Sequence, residues 1–254
     1  MNGIFLALQF FSIIPIHKEY PMEKKDITAM YATLPFIGLF IGSISFLVYL
    51  TGQMTFSFSP FLLASLLVVT GFILTGGLHL DGWADTADAY FSYRKIEKRH
   101  EILEDPRLGA FGTMALILLM LMKVAVIYEA ISQQLPMLVL LCFIPFIVRA
   151  FLIYCFIWIP SAKIAGLGAF FKARILSKPL LIFTTIVIIC AFAVLLFITQ
   201  NVLVILAIAL MLVGSVLIYK KWTLKHFGGM TGDLAGAYIE GMEVFVWLLL
   251  IALL

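Results

Sequence analysis

Uninterrupted apolar runs dominate the chain and recur at spanning length. They lie near 31–50, 60–78, 110–130, 137–158, 180–199, 201–219 and 238–254. A hydrocarbon core of about 30 Å needs about 20 helical residues to cross it, so each run spans the bilayer or nearly does. The runs are continuous rather than alternating, which predicts helices instead of barrel strands. The first is diluted by Pro35, Gly38, Gly42, Ser43 and Ser45, and the last opens near two glutamates. The expectation is an all-α, polytopic transmembrane bundle of about seven spanning helices, within a range of six to eight. A short apolar helix over Met1–Ile14, interfacial or half-inserted, precedes them. It has neither a basic lead nor a small-residue cleavage site. With 63% hydrophobic and 12% charged residues, the chain has too little polar surface to cover itself in water. No repeat or linker divides residues 1–254, which read as one membrane domain.

The basic residues sort by loop. Lys18, Lys24 and Lys25 precede the first run. Arg94, Lys95, Lys98, Arg99 and Arg107 follow the second. Lys163, Lys172, Arg174 and Lys178 follow the fourth, and Lys220, Lys221 and Lys225 follow the sixth. These loops hold fifteen of the 17 Lys and Arg, and the alternate loops hold none. Positive residues collect on the cytoplasmic side, so all the basic loops are expected there. The bilayer of the cytoplasmic membrane is the expected environment.

Three acidic blocks open to the same side. Gly76-Gly77-Leu78-His79-Leu80-Asp81-Gly82-Trp83-Ala84-Asp85-Thr86-Ala87-Asp88 follows the second run. Its aspartates, at i, i+4 and i+7, share one helical face. Like charges so placed repel, and a hard divalent cation such as Mg²⁺ or Mn²⁺ removes the conflict. The plainer reading, acids near a helix start that suit its dipole, does not account for the third. Glu104-Asp105-Pro106-Arg107-Leu108-Gly109-Ala110-Phe111-Gly112 precedes the third run. Asp105 could complete a metal shell, and Arg107 could grip a phosphate by two bonds; alone, the stretch also reads as an ordinary helix-entry loop. Gly228-Gly229-Met230-Thr231-Gly232-Asp233 precedes the last run, with Glu240 and Glu243 beyond it. Its glycines allow the backbone to fold round an oxyanion. A carboxylate within an apolar run is by default a functional candidate, unless it stays at the headgroups. Lys123 and Arg149 lie inside runs, roughly 15–21 Å from the basic end at about 1.5 Å per residue. Such charges face a polar cavity, an anionic substrate or an acid such as Glu240, or they pair structurally.

Carboxylates with a few basic groups suit metal-aided phosphoryl chemistry. No Walker loop, GxSxG elbow or HExxH is present. The three cysteines, Cys142, Cys155 and Cys190, lie in apolar runs and read as packing residues.

The stretches TGGLHLDGWADTADA, EDPRLGAFG and GGMTGDLAGAYIEGMEV, in this order and at matching ends of the runs, strongly resemble the cobalamin-phosphate synthase family, the adenosylcobinamide-GDP ribazoletransferases. Ala89 stands where that family usually has Gly, and Pro106 where Ser is common. The resemblance implies an integral membrane enzyme of cobalamin (vitamin B12) nucleotide-loop assembly that uses Mg²⁺. Its substrates would be adenosylcobinamide-GDP and α-ribazole or α-ribazole 5′-phosphate. The products would be adenosylcobalamin, or its 5′-phosphate, and GMP. Carried onto this chain, it implies metal binding by Asp81, Asp85, Asp88 and Asp105. Asp88 would act as base, with His79 as second choice. Arg107 and the turn containing Gly229 and Gly232 would hold phosphate oxygens, and Asp233 and Glu240 would orient the nucleoside. No nucleic-acid partner is expected, and a homo-oligomer is compatible with the sequence. Two other readings are a CDP-alcohol phosphatidyltransferase, which the start Asp81-Gly82-Trp83-Ala84 matches before Asp85 departs, and a transporter, which intramembrane charges would also suit. Against the transporter, the acids sit at one side and no paired broken helices are evident.

Overall fold

The computed structural model describes residues 2–254 and contains eleven helices among them. They are α1 (Asn2–Phe11), α2 (Lys24–Met54), α3 (Pro60–Thr75), α4 (Leu78–Phe91), α5 (Ile96–Leu103), α6 (Ala110–Ser132), α7 (Met137–Trp158), α8 (Leu167–Lys172), α9 (Ser177–Thr199), α10 (Val202–Phe227) and α11 (Gly232–Leu253). Six of them, α2, α6, α7, α9, α10 and α11, are long and apolar enough to cross a membrane. Helices α3 and α4 pass the same test only together, and they bend by 93° at their junction. Crossing by α3 restores the alternation of basic loops and makes seven spans, as expected. The short N-terminal helix is also present over its described residues; Met1 lies outside them.

Several helix ends differ from the apolar runs. α2 begins seven residues before its run, and α10 continues through Lys220, Lys221 and Lys225 to Phe227. Helical hydrogen bonding persists where side chains turn polar, so hydropathy marks the membrane and not the helix. The 60–78 run instead breaks early. Gly76 and Gly77 both take left-handed φ values, 64° and 77°, a conformation that disfavours other residues. They stop α3 and send α4 across the bundle, outside the spanning segments.

The centre of the bundle is the α2–α7 crossing. Pro145 has no amide hydrogen, so the Leu141 carbonyl lacks its helical donor. Gly42 lies against that carbonyl, and a Cβ on it would stand 2.1 Å away; one on Gly38 would stand 2.3 Å from the Pro145 carbonyl. The two form a Gly-x-x-x-Gly stripe, which lets membrane helices approach closely. The glycines that diluted the first run are therefore its packing face.

The basic loops are stitched together at one end. Arg99 Nη1 donates to the His226 carbonyl at 3.0 Å, and His100 Nε2 donates to the Phe227 carbonyl at 2.9 Å. They cap the open C-terminus of α10. Lys172 Nζ donates likewise to the Phe156 carbonyl at the end of α7, at 2.8 Å. Leu176 N donates to Thr28 Oγ1 at 2.9 Å. These bonds place the basic loops on one face independently of the charge count.

Gly42→Leu should overpack the α2–α7 contact. Thermal unfolding in detergent should show a loss of about 1–3 kcal/mol or failure to fold, whereas Gly214→Leu, at a position with nothing within 4 Å, should leave the transition near wild type.

Candidate active site at the basic end

Helix α4 carries the acid face, and two backbone contacts set it on α11. A Cβ on Gly82 would stand 2.6 Å from the Asp233 carbonyl, and one on Gly236 would stand 3.0 Å from His79 Cα. Only glycines permit this approach. Trp83 Nε1 donates to the Ala115 carbonyl at 3.0 Å, fixing the rotation of α4 against α6. At roughly 100° per residue, Asp81, Asp85 and Asp88 fall within an arc of roughly 60°, with His79 roughly opposite. Burial agrees: Asp81 is exposed, Asp85 and Asp88 are half-buried, and His79 is buried.

Asp88 reaches the second block. Its Oδ2 accepts from Gly109 N at 2.7 Å and its Oδ1 from Gly112 N at 2.8 Å. These amides belong to the start of α6, where backbone donors lack helical partners, so Asp88 caps α6 from another helix. A Cβ on either glycine would stand 2.4 Å from an Asp88 oxygen. Both oxygens of the residue expected to be base and ligand thus already hold the fold.

Asp81, Asp85, Asp88 and Asp233 face a common space. The Asp85 carboxyl is pushed up to about 7, chiefly by burial and then by Asp81, Asp233 and Asp88. Carboxylates gathered without a facing cation among themselves offer the hard oxygens that a divalent cation takes, with Asp81 and Asp85 the ones not engaged by the fold. Among the described residues, no three His, Cys, Asp or Glu side chains form a ready cage for an ion. Mg²⁺ commonly takes only one or two carboxylates and completes its shell with substrate phosphates, and the acid face fits that mode. Asp105 is turned elsewhere: Arg107 donates to it through Nε at 2.9 Å and Nη2 at 2.6 Å. Arg107 is highly exposed and engaged by this neighbour.

The third block forms a tight corner. Gly228 ends α10 in a left-handed conformation, and Thr231 caps α11 through its Oγ1, which accepts from Leu234 N at 3.2 Å. Gly229 lies against the 160–162 backbone, and Gly232 has open space around it. Asp233 follows in the first turn of α11, where the helix dipole favours a carboxylate.

Beneath α4, inside the bundle, lies a separate ionic cluster. Glu243 bridges Lys123 Nζ at 3.0 Å and Arg149 Nη1 at 2.9 Å, and Glu240 pairs with Lys123. Arg149 Nη1 also donates to the Pro145 carbonyl at 3.0 Å, and its Nη2 meets His79 Nδ1 at 3.5 Å. Arginine only donates, so Nδ1 accepts and the proton of His79 sits on Nε2. The His79 ring therefore faces the buried cluster, away from the acid face. Glu243 thus ties Arg149 to the Lys123–Glu240 pair, beside a cavity of about 80 Å³ that all four line. Sequence placed Lys123 and Arg149 at depth and left Glu240 and Glu243 open between the apolar run and the headgroups; that Glu243 bridges both cations requires the three-dimensional crossing of α6, α7 and α11.

A family model described as cobalamin-5-phosphate synthase matches residues 3–251. Three proteins named adenosylcobinamide-GDP ribazoletransferase are similar nearly end to end. The protein of Geobacillus sp. (strain WCH70) is 31% identical over 97% of this chain and 94% of its own. That of Geobacillus kaustophilus (strain HTA426) is 34% identical over 97% and 94%. That of Clostridium botulinum (strain 657 / Type Ba4) is 34% identical over 99% and 98%. No solved structure matches the chain.

Glu243→Gln should leave two buried cations under-compensated and lower stability by about 3–5 kcal/mol, read by thermal unfolding in detergent. At the acid face, a raised carboxyl pKa makes the metal-free protein lose stability as pH rises through about 7. A cation favours the ionised form, so stabilisation by Mg²⁺ should grow from about pH 6 to about pH 8. Asp85→Asn should flatten that dependence in a thermal-shift titration.

Proposed function

The chain belongs to the cobalamin-5-phosphate synthase family, and from that membership we propose how its acid face serves the reaction. It is an integral membrane transferase that joins adenosylcobinamide-GDP to α-ribazole or α-ribazole 5′-phosphate in cobalamin nucleotide-loop assembly. Membership sets the phosphatidyltransferase and transporter readings aside.

The observation that carries the site assignment is the meeting of all three sequence blocks. Asp88 of the first bonds the glycine amides of the second, and Gly82 of the first lies on Asp233 of the third. In the reaction we propose, the 3′-hydroxyl of the ribazole attacks the phosphorus attached to the corrinoid's aminopropanol arm. A new phosphorus–oxygen bond forms as the bond to GMP breaks, and GMP leaves with that electron pair. Asp85, between Asp81 and Asp88 on the acid face, accepts the hydroxyl proton. Asp81 and Asp233 would hold Mg²⁺ against the pyrophosphate. When bound there, the ion neutralises developing charge on the phosphate oxygens. Asp88 holds the start of α6 against α4, so that Gly109 borders the same face. Arg107, released from Asp105, and the Gly229–Gly232 backbone would receive phosphate oxygens. His79 and the Lys123–Glu240–Glu243–Arg149 cluster support α4 from below. In this reading the acid face opens to the cytoplasm from the cytoplasmic membrane, which the clustering of Lys and Arg in the loops on that side supports.

Asp85→Ala should reduce GMP release by roughly 10²–10⁴-fold while the detergent-solubilised protein unfolds at a near wild-type temperature. Near-normal turnover in that variant would sink the assignment. Incubation with a CDP-alcohol in place of adenosylcobinamide-GDP should release no CMP.

A further inference from the structure

Lys163 stands at the rim of the acid face, in the loop between α7 and α8, and three contacts fix the loop there. Met230 N donates to the Pro160 carbonyl at 2.8 Å and Ala162 N donates to the Met230 carbonyl at 3.0 Å, beside a parallel bridge between Ser161 and Met230. A Cβ on Gly229 would stand 2.4 Å from the Pro160 carbonyl, so the two loops touch through bare backbone. Ser161 Oγ donates to the Lys163 carbonyl at 2.8 Å and closes the turn.

From this anchor the lysine reaches over to Glu104, with Nζ 2.6 Å from Oε1. Glu104 directly precedes Asp105, in the loop whose Gly109 amide holds Asp88. Lys163 thus ties the α7–α8 loop, docked on the loop that ends in Asp233, to the loop that receives Asp88. Both loops border α4, whose Asp81 and Asp85 face the same space as Asp233. Lys163 also lies near enough to Asp233 to act on its carboxylate by charge. Its present partner holds it weakly, because the Glu104 side chain is 68% exposed and surface ion pairs contribute little. A pyrophosphate oxygen at the acid face offers a stronger, charge-assisted bond.

We propose that Lys163 is a substrate-binding residue for the pyrophosphate of the corrinoid-linked GDP. On binding, its ammonium exchanges the Glu104 carboxylate for a phosphate oxygen. It then stays with the phosphate that departs in GMP. The proposal rests on the ribazoletransferase reading and adds to it the residue that receives the donor nucleotide.

The test is steady-state GMP release by the purified full-length protein with Mg²⁺, varying adenosylcobinamide-GDP and α-ribazole 5′-phosphate separately. Lys163→Ala should raise KM for adenosylcobinamide-GDP on the order of tenfold to a hundredfold and leave KM for α-ribazole 5′-phosphate unchanged. Lys163→Arg should restore most of the loss, and Glu104→Gln should keep or improve the donor KM by freeing the lysine. Lys163→Met, which keeps the aliphatic stem, serves as the second variant should the alanine form fail to fold. Wild-type KM values in the alanine or methionine variant would overturn the proposal, as would a loss confined to the acceptor. If the wild-type protein releases no GMP at all, the transferase reading itself fails instead.

Discussion

The α4–α11 crossing governs how chemistry is placed in this protein. Gly82 rests on the backbone of Asp233, and Gly236 rests on that of His79. Two helices can approach so closely only where one of them lacks a side chain at each contact. The result is one short helix with two opposed surfaces. One turns Asp81, Asp85 and Asp88 outward beside Asp233. The other presses His79 toward Arg149. Any side chain at Gly82 would lift the acid face from the corner that supplies its fourth carboxylate.

The buried charges below answer a different problem. An ion in a bilayer interior is costly unless paired and bonded. Lys123, Arg149, Glu240 and Glu243 are formally neutral together, and their contacts join α6, α7 and α11. Hydrophobic contact gives membrane helices little reason to choose one register over another, since lipid tails are as apolar as leucine. An ion cluster does choose, because a shifted helix would strand a charge. Arg149 extends that choice to α4 through His79.

Much of this was legible before folding was considered. Spans could be read because hydropathy sums over about twenty residues, and sidedness could be read because Lys and Arg collect in alternate loops. The three aspartates announced a shared face through their spacing alone. Roles that depend on distant partners were not legible. Nothing in the Asp88 spacing separates a metal ligand from a cap on α6, since the cap requires Gly109 and Gly112 to arrive from another segment. Lys163 looked like any basic-loop lysine, because its importance lies in touching two loops that are distant in sequence. Gly38 and Gly42 looked like weakness in a span, although they are its contact surface. Helix ends were missed where polar residues continue a helix beyond the lipid.

The paired left-handed glycines have a consequence for the membrane itself. They end α3 after 16 residues, about 24 Å of helix at about 1.5 Å per residue, against a hydrocarbon core of about 30 Å. The spans packed beside it, α6 with 23 residues and α2 with 31, are about two and four turns longer. Lipid beside α3 must therefore thin, or the headgroups must dip, to meet α4 at its level. The depth at which the reacting face sits becomes a function of bilayer thickness, so the lipid composition of the host membrane is part of the geometry of the site.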